Sequence, residues 1–308
     1  MSEEIATRIA YGETLVELGR ENDRIVVLDA DVSNATMTVT FKKEFPDRFF
    51  DCGIAECNMA GMSAGLSTMG FIPFYSSFAI FGTGRAYEIV RNAIGYPHFN
   101  VKIACTHAGI TVGEDGSSHQ SFEDIALMRG IPGMTVLVPG DATETRKAIR
   151  AAAAIDGPVY IRMSRAPAPV LPDAPFEVGR ANALREGKDG VIFTCGFMLH
   201  IALEAAETLA AKGLDIAVVN VHTIKPIDSE TILRYARQSG KVLTLEEHSI
   251  IGGLGTAVSE VLVGNGDFKF KKLGIEDRFG ESGNWKDLLD VFELSAPKVA
   301  EKAEAFFK

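Results

Sequence analysis

Short apolar runs alternate with helix-period segments along almost the whole chain, and this alternation is what most constrains the fold. It is the pattern of layered α/β domains with mainly parallel sheets. Runs at 25–28, 71–75, 101–105, 135–138 and 159–163 predict buried strands, and 58–69, 87–94 and 142–155 predict helices between them. Pro167, Pro169, Pro172 and Pro175 then interrupt the series and predict an extended linker. A second series follows: strands at 190–196, 215–221 and 241–245, and helices at 199–212, 229–238, 253–263 and 296–306. The reading is two α/β domains, 1–168 and 186–308, each a mostly parallel sheet flanked by helices and joined by a linker at 169–185. No internal repeat or low-complexity tract is visible.

Composition narrows the function. Acidic residues outnumber basic ones 41 to 31, a net charge of −10, and no basic cluster breaks that balance. Nucleic-acid binding is disfavoured, because phosphate contacts need a basic footprint. The first residues, Met1 to Ile5, are acidic and lack the apolar core of a signal peptide. No apolar run reaches membrane-spanning length. Cys52, Cys57, Cys105 and Cys195 show neither a CxxC pair nor metal-ligand spacing, so they read as reduced core thiols of a cytoplasmic protein.

Chemistry concentrates in the loop after the 101–105 run. Between Thr106 and Gln120 stand His107, His119, Asp115 and three glycines. In a parallel sheet that is the carboxyl end of a strand, where ligands bind. Two histidines and a carboxylate on one loop suit acid/base work or the binding of substrate hydroxyls. A metal site is the weaker option, since residues twelve apart on a flexible loop fix no geometry. Glu56 enters a helix rich in Ala, Gly and Met. Alone it reads as a first-turn residue favoured by the helix dipole, but its apolar surroundings would make a buried carboxyl want a partner that shares its proton. Phe78 and Phe81, followed by Gly82 and Gly84, read as core packing or as a stacking platform for a flat heterocycle. Arg8, Arg162 and Arg165 read as isolated cations, of which Arg165 lies past a strand end and could hold an anion. The segment Glu246-Glu247-His248 through Gly252-Gly253 reads as a strand-to-helix turn with a structural or interface role.

Together these motifs resemble the C-terminal half of transketolase, over nearly the whole chain. The carriers are Ala6-Thr7-Arg8, Asp31-Val32-Ser33-Asn34, Gly53-Ile54-Ala55-Glu56, Ser77-Phe78 through Phe81, Thr106-His107, Gly113-Glu114-Asp115-Gly116 through His119-Gln120, Ser164-Arg165 and Glu246-Glu247-His248. The GEDGxxHQ segment after a Thr-His pair is specific; the other pieces are individually weak and jointly strong. The resemblance implies the pyrimidine-binding and C-terminal domains of a thiamine diphosphate enzyme that moves a two-carbon ketol unit from a ketose phosphate to an aldose phosphate. It implies that Glu56 bonds N1′ of the aminopyrimidine, that Phe81 stacks on that ring with Phe78 lining the pocket, and that Asp31 lies near the cofactor. His119 would bind substrate oxygens and assist proton transfer, and Asp115 would read the acceptor's C2 hydroxyl. Arg8, Ser33, His107 and Arg165 would hold the sugar phosphate.

One expected piece is missing. The family binds diphosphate through Mg²⁺ with a Gly-Asp-Gly motif and a downstream Asn, and neither Gly264-Asn265-Gly266-Asp267 nor Asp189-Gly190 fits it. The resemblance therefore implies half a site, completed by an N-terminal transketolase subunit in an α2β2 assembly around a homodimer core. The chain also departs from the family at Gly84, where a pocket Tyr usually stands, and Tyr87 is the candidate to replace it. Other readings are a 1-deoxyxylulose-5-phosphate synthase, a 2-oxoacid dehydrogenase β-subunit, a transketolase for an unusual sugar phosphate, and a non-catalytic scaffold subunit.

Overall fold

The structure, a computed structural model, describes residues 3–308; the first two residues of the acidic N-terminal stretch lie outside it. The strands of the first part are β1 (Glu4–Ala6), β2 (Ile25–Asp29), β3 (Phe49–Asp51), β4 (Ile72–Ser76), β5 (Lys102–Cys105), β6 (Thr135–Leu137), β7 (Val159–Arg162) and β8 (Pro167–Pro169). Those of the second are β9 (Asn182–Arg185), β10 (Gly190–Thr194), β11 (Ile216–Asn220), β12 (Thr223–Lys225), β13 (Lys241–Ser249) and β14 (Lys269–Ile275). Helices cross over between parallel neighbours, as that pairing requires.

The first sheet runs β12-β6-β7-β5-β4-β2-β3 and the second β14-β13-β10-β11-β9. Pairing is parallel except at one edge of each sheet, where β12 opposes β6 and β9 opposes β11. The central strands are apolar on both faces because both faces are covered. Along β2, Val26 and Leu28 face one core cluster while Ile25 and Val27 face another, the period-two alternation of a strand. The cluster holding Val26 and Leu28 continues into Phe193, Val219 and Val242 of the second sheet, so the two domains share apolar packing. Helix ends carry local instructions as well. Asp141 accepts from Glu144 N at 2.7 Å to start the helix Ala142–Ala154. Asp228 does the same for Ser229–Ser239, which ends at Gly240 in the left-handed conformation.

Three expectations need correction. The stretch 169–185 is not linker throughout: β9 forms an edge of the second sheet, and β8, at the preceding prolines, pairs with β1. A Pro-bearing strand is tolerated here because its partner is a two-stranded ribbon rather than a central sheet. The 1–168 unit is also not closed by its own residues, since β12 of the second part adds to β6. Finally, Glu246, Glu247 and His248 lie inside β13, not in a turn after it. β13 runs nine residues, and those three side chains are buried.

Candidate active site

The candidate residues gather where the carboxyl ends of β2, β4, β5 and β7 meet. Strand order reverses between β2 and β4, the place where open α/β sheets form their binding crevice. Thr106 and Phe78 pair as an isolated parallel bridge, with Ala79 N donating to Thr106 O at 2.8 Å and Thr106 N to Ser77 O at 3.1 Å. This pairing brings the segment after β4 onto the loop after β5. His107, with φ of 58°, is turned to stack on Phe78 at 3.9 Å between ring centroids. Such a φ is unusual for a side-chain-bearing residue and marks a conformation the surroundings enforce. Its Nδ1 meets Thr106 Oγ1 at 2.7 Å. Burial, then the charges of Arg8 and Arg165, push the His107 imidazolium down to about 3, so the ring is neutral over the physiological range.

Phe81 lies 6.2 Å from Phe78 and nearly parallel to it, and His119 points its edge at Phe81 at 5.2 Å. Ser118 Oγ meets His119 Nδ1 at 2.9 Å. Glu56 opens the helix Glu56–Thr68 and is 3% exposed. Its Oε2 accepts from Arg85 Nη1 at 3.0 Å, and the same guanidinium lies over the Phe81 ring, 4.6 Å from its centroid. Arg85 was not legible as a site residue. Its one signal is the four-residue spacing from Phe81, which places both on one face of a helical turn. The turn Ile80–Arg85 is π-helical, as is Val90–Gly95. Two such wide turns absorb extra residues in this segment. Tyr87, between them, packs against the shared apolar core.

Arg8 Nη1 donates to Ala35 O at 2.8 Å, which ties it to the short helix Ser33–Thr36, while its Nε is buried without a partner. Burial and the neighbouring Arg165 charge lower the Arg8 guanidinium from its usual value. Arg165 donates to Val112 O and to Glu114 Oε2, the latter at 2.8 Å. Arg8 and Arg165 thus make one electropositive corner beside the neutral His107 ring, and Ser33 opens the short helix that Arg8 reaches. Asp31, with φ of 62°, and Asp115 are exposed beside the strand ends, and neither joins the aromatic cluster. Arg162 is not the isolated cation that the sequence suggested: it is buried, and its Nε donates to Asp124 Oδ2 at 2.7 Å. Cys57 is not a core thiol either, since it is exposed, whereas Cys105 and Cys195 are buried and half-buried Cys52 packs against the core. Among the described residues, no three His, Cys, Asp or Glu side chains come together as a metal cluster, and no helix is long and apolar enough to cross a membrane.

The second domain backs the loop. Glu247 Oε1 accepts from Thr111 N at 3.1 Å and from Thr111 Oγ1 at 2.7 Å. Its carboxyl fills the space beside Gly109, where a Cβ would sit 1.8 Å from Oε1 and φ is 78°, so only glycine fits. Glu246 turns the other way and accepts from Leu254 N and Gly255 N, capping the helix Leu254–Leu262. Burial raises the Glu247 carboxyl from 4.5 to about 7. A raised acid favours the folded state in its protonated form, so that stability is full below about pH 4.5 and lost as pH rises through 7. Relative to Glu247→Gln, the wild-type chain is therefore expected to lose on the order of 2 kcal/mol between pH 5 and pH 8. Urea unfolding of both proteins across that range checks this, and parallel pH profiles would reject it.

Known proteins are similar to this chain in sequence and fold. The family model for the transketolase pyrimidine binding domain matches residues 3–169, and that for the transketolase C-terminal domain matches 179–299. A putative transketolase C-terminal section of Methanocaldococcus jannaschii is 49% identical over 96% of this chain and 94% of its own length. A 6-deoxy-6-sulfo-D-fructose transketolase subunit of a Clostridium species is 43% identical over 98% of this chain and 94% of its own. A solved structure described as a split gene transketolase, inactive beta4 tetramer, is 52% identical, with a TM-score of 0.90 over 99% of this chain and 100% of that one.

Proposed function

Because the chain belongs to the transketolase family, we propose that it is the C-terminal subunit of a split transketolase, active only with an N-terminal subunit that binds diphosphate and Mg²⁺. The observation that carries the reading is the meeting of buried Glu56, the Phe81 face and His119 at the carboxyl end of the first sheet. The donor set fits an aminopyrimidine: a carboxyl 3% exposed, an aromatic ring beside it, and Ser77 Oγ buried without a partner at the same strand end. When bound, thiamine diphosphate supplies the nucleophilic carbon and electron sink for transfer of a ketol unit. Around it, Glu56 would hold the proton at N1′ of the pyrimidine, Phe81 would stack on the ring, and Phe78 would line its pocket. Asp31 would lie at the cofactor's rim.

His107 reaches substrate as a neutral ring, so it can accept or donate a hydrogen bond without adding charge. His119, held by Ser118, would pass protons to and from substrate oxygens. Asp115 would read the acceptor's C2 hydroxyl. Arg8, with a free buried Nε, and Arg165, which would exchange Glu114 for an anion, suit a sugar phosphate, with Ser33 beside them. The relatives described as a C-terminal section and a subunit, each covered almost fully, support the split. The substrate of the clostridial subunit keeps an unusual sugar as a second donor to try.

Coupled assays with xylulose 5-phosphate, ribose 5-phosphate, thiamine diphosphate and Mg²⁺ test the proposal. We expect turnover when this chain is mixed with a subunit carrying the Gly-Asp-Gly motif, and none from either alone. Turnover by this chain alone would sink the split. A mixture that turns over only with pyruvate as donor would move the assignment to a synthase or decarboxylase.

A further inference from the structure

Arg85 does two things at once. Its Nη1 donates to Glu56 Oε2 at 3.0 Å, and its flat guanidinium lies over Phe81 at 4.6 Å. A planar group that donates N–H to that carboxylate while lying over that ring presents the same face as an aminopyrimidine carrying its shared proton at N1′. We propose that Arg85 is an internal stand-in for the cofactor's pyrimidine, holding Glu56 and Phe81 until the ring arrives and swinging out when it does. The inference rests on the thiamine diphosphate reading above and adds a determinant of cofactor affinity.

The surroundings allow the exchange. Glu56 is buried, but the Arg85 side chain is half exposed, so the guanidinium has water to move into. It sits at the last position of the π-helical turn Ile80–Arg85, and a wide turn has looser backbone bonding than an α-helix. No other basic side chain pairs with Glu56 among the described residues. While Arg85 is in place, the buried carboxylate has a cationic donor and does not stand unpaired. The cost is competition, because an incoming ring meets a carboxyl already bonded and an aromatic face already covered.

The test compares wild type, Arg85→Ala and Arg85→Lys in the complex with the diphosphate-binding subunit. Thiamine diphosphate with Mg²⁺ is titrated by calorimetry, and melting is followed with and without saturating cofactor. Arg85→Ala should tighten the dissociation constant by about three- to tenfold, the scale of a half-exposed ion pair plus a cation–π contact. Arg85→Lys, which keeps the charge and loses the flat fork, should fall between. Without cofactor, Arg85→Ala should melt lower than wild type, because Glu56 loses its partner. With cofactor bound, that difference should vanish, because Arg85 has left Glu56 in both. Unchanged or weaker binding in Arg85→Ala, or a melting deficit that persists in the loaded complex, would show that Arg85 stays on Glu56 and would overturn the inference alone. If neither wild type nor Arg85→Ala binds thiamine diphosphate, the functional reading beneath it falls as well.

Discussion

Replacing Glu56 with Gln is expected to cost the reconstituted complex about two to four orders of magnitude in kcat, the range for losing a positioned proton-transfer group, while assembly is retained. The side chain is buried at the first turn of Glu56–Thr68, and its one ion-pair partner reaches in from the solvent side. Gln keeps the shape and the burial but cannot carry the proton that, under the proposed function, Glu56 would share with N1′. The fold should tolerate the change, since Arg85, half exposed, can hydrate once its partner is gone. Steady-state assays and light scattering on the same samples separate the two effects. Turnover within tenfold of wild type, at equal assembly, would remove Glu56 from the chemistry and leave it a helix-terminus residue. A scaffold subunit would give that result.

How much of this was legible before the structure depends on the period of each element. β2, β5, β7 and β10 were readable because strands buried on both faces are continuous apolar runs. β14 was not, because it is an edge strand whose sequence, Lys-Phe-Lys-Lys-Leu-Gly-Ile, shows neither a continuous apolar run nor a clean alternation. β12 has three residues, too few for any period, and its place in the first sheet depends on a contact distant in sequence. In the site, His107, His119, Phe78 and Phe81 stood out because their type and density exceed what a loop needs, and the structure brings all four into ring contact. Arg85 and Glu247 were invisible as site neighbours for the opposite reason. Each is an ordinary charged residue whose meaning lies in what it touches: Phe81 and Glu56 for one, Thr111, 136 residues away, for the other. Asp124 shares that obscurity, and Arg162, legible only as an isolated cation, gave no sign of its buried partner.

Those last two carry the second large effect. Asp124 Oδ2 accepts from Tyr160 OH at 2.6 Å and from Arg162 Nε at 2.7 Å, and Arg162 Nη2 donates to Glu247 O at 2.7 Å. The pair is nearly sealed, with side chains 5% and 0% exposed. The Arg162 charge, with the Tyr160 bond, holds Asp124 below the usual carboxylate range despite its burial. Arg162→Met would leave that carboxylate buried and unpaired, a situation that costs about 3–5 kcal/mol, or on the order of 10 °C in Tm. Adding Asp124→Leu removes the stranded charge, so the double variant should be more stable than Arg162→Met alone. A double variant that is the less stable of the two would mean that the pair acts through packing, not charge. Activity should fall with Arg162→Met even below the melting range. Arg162 fixes the backbone of Glu247, Glu247 fixes Thr111, and Thr111 lies in the first part of the turn Ile110–Asp115 between His107 and His119. The buried charges thus connect the second domain to the loop that holds both histidines, which gives that domain a part in the site without contributing a side chain to its aromatic cluster.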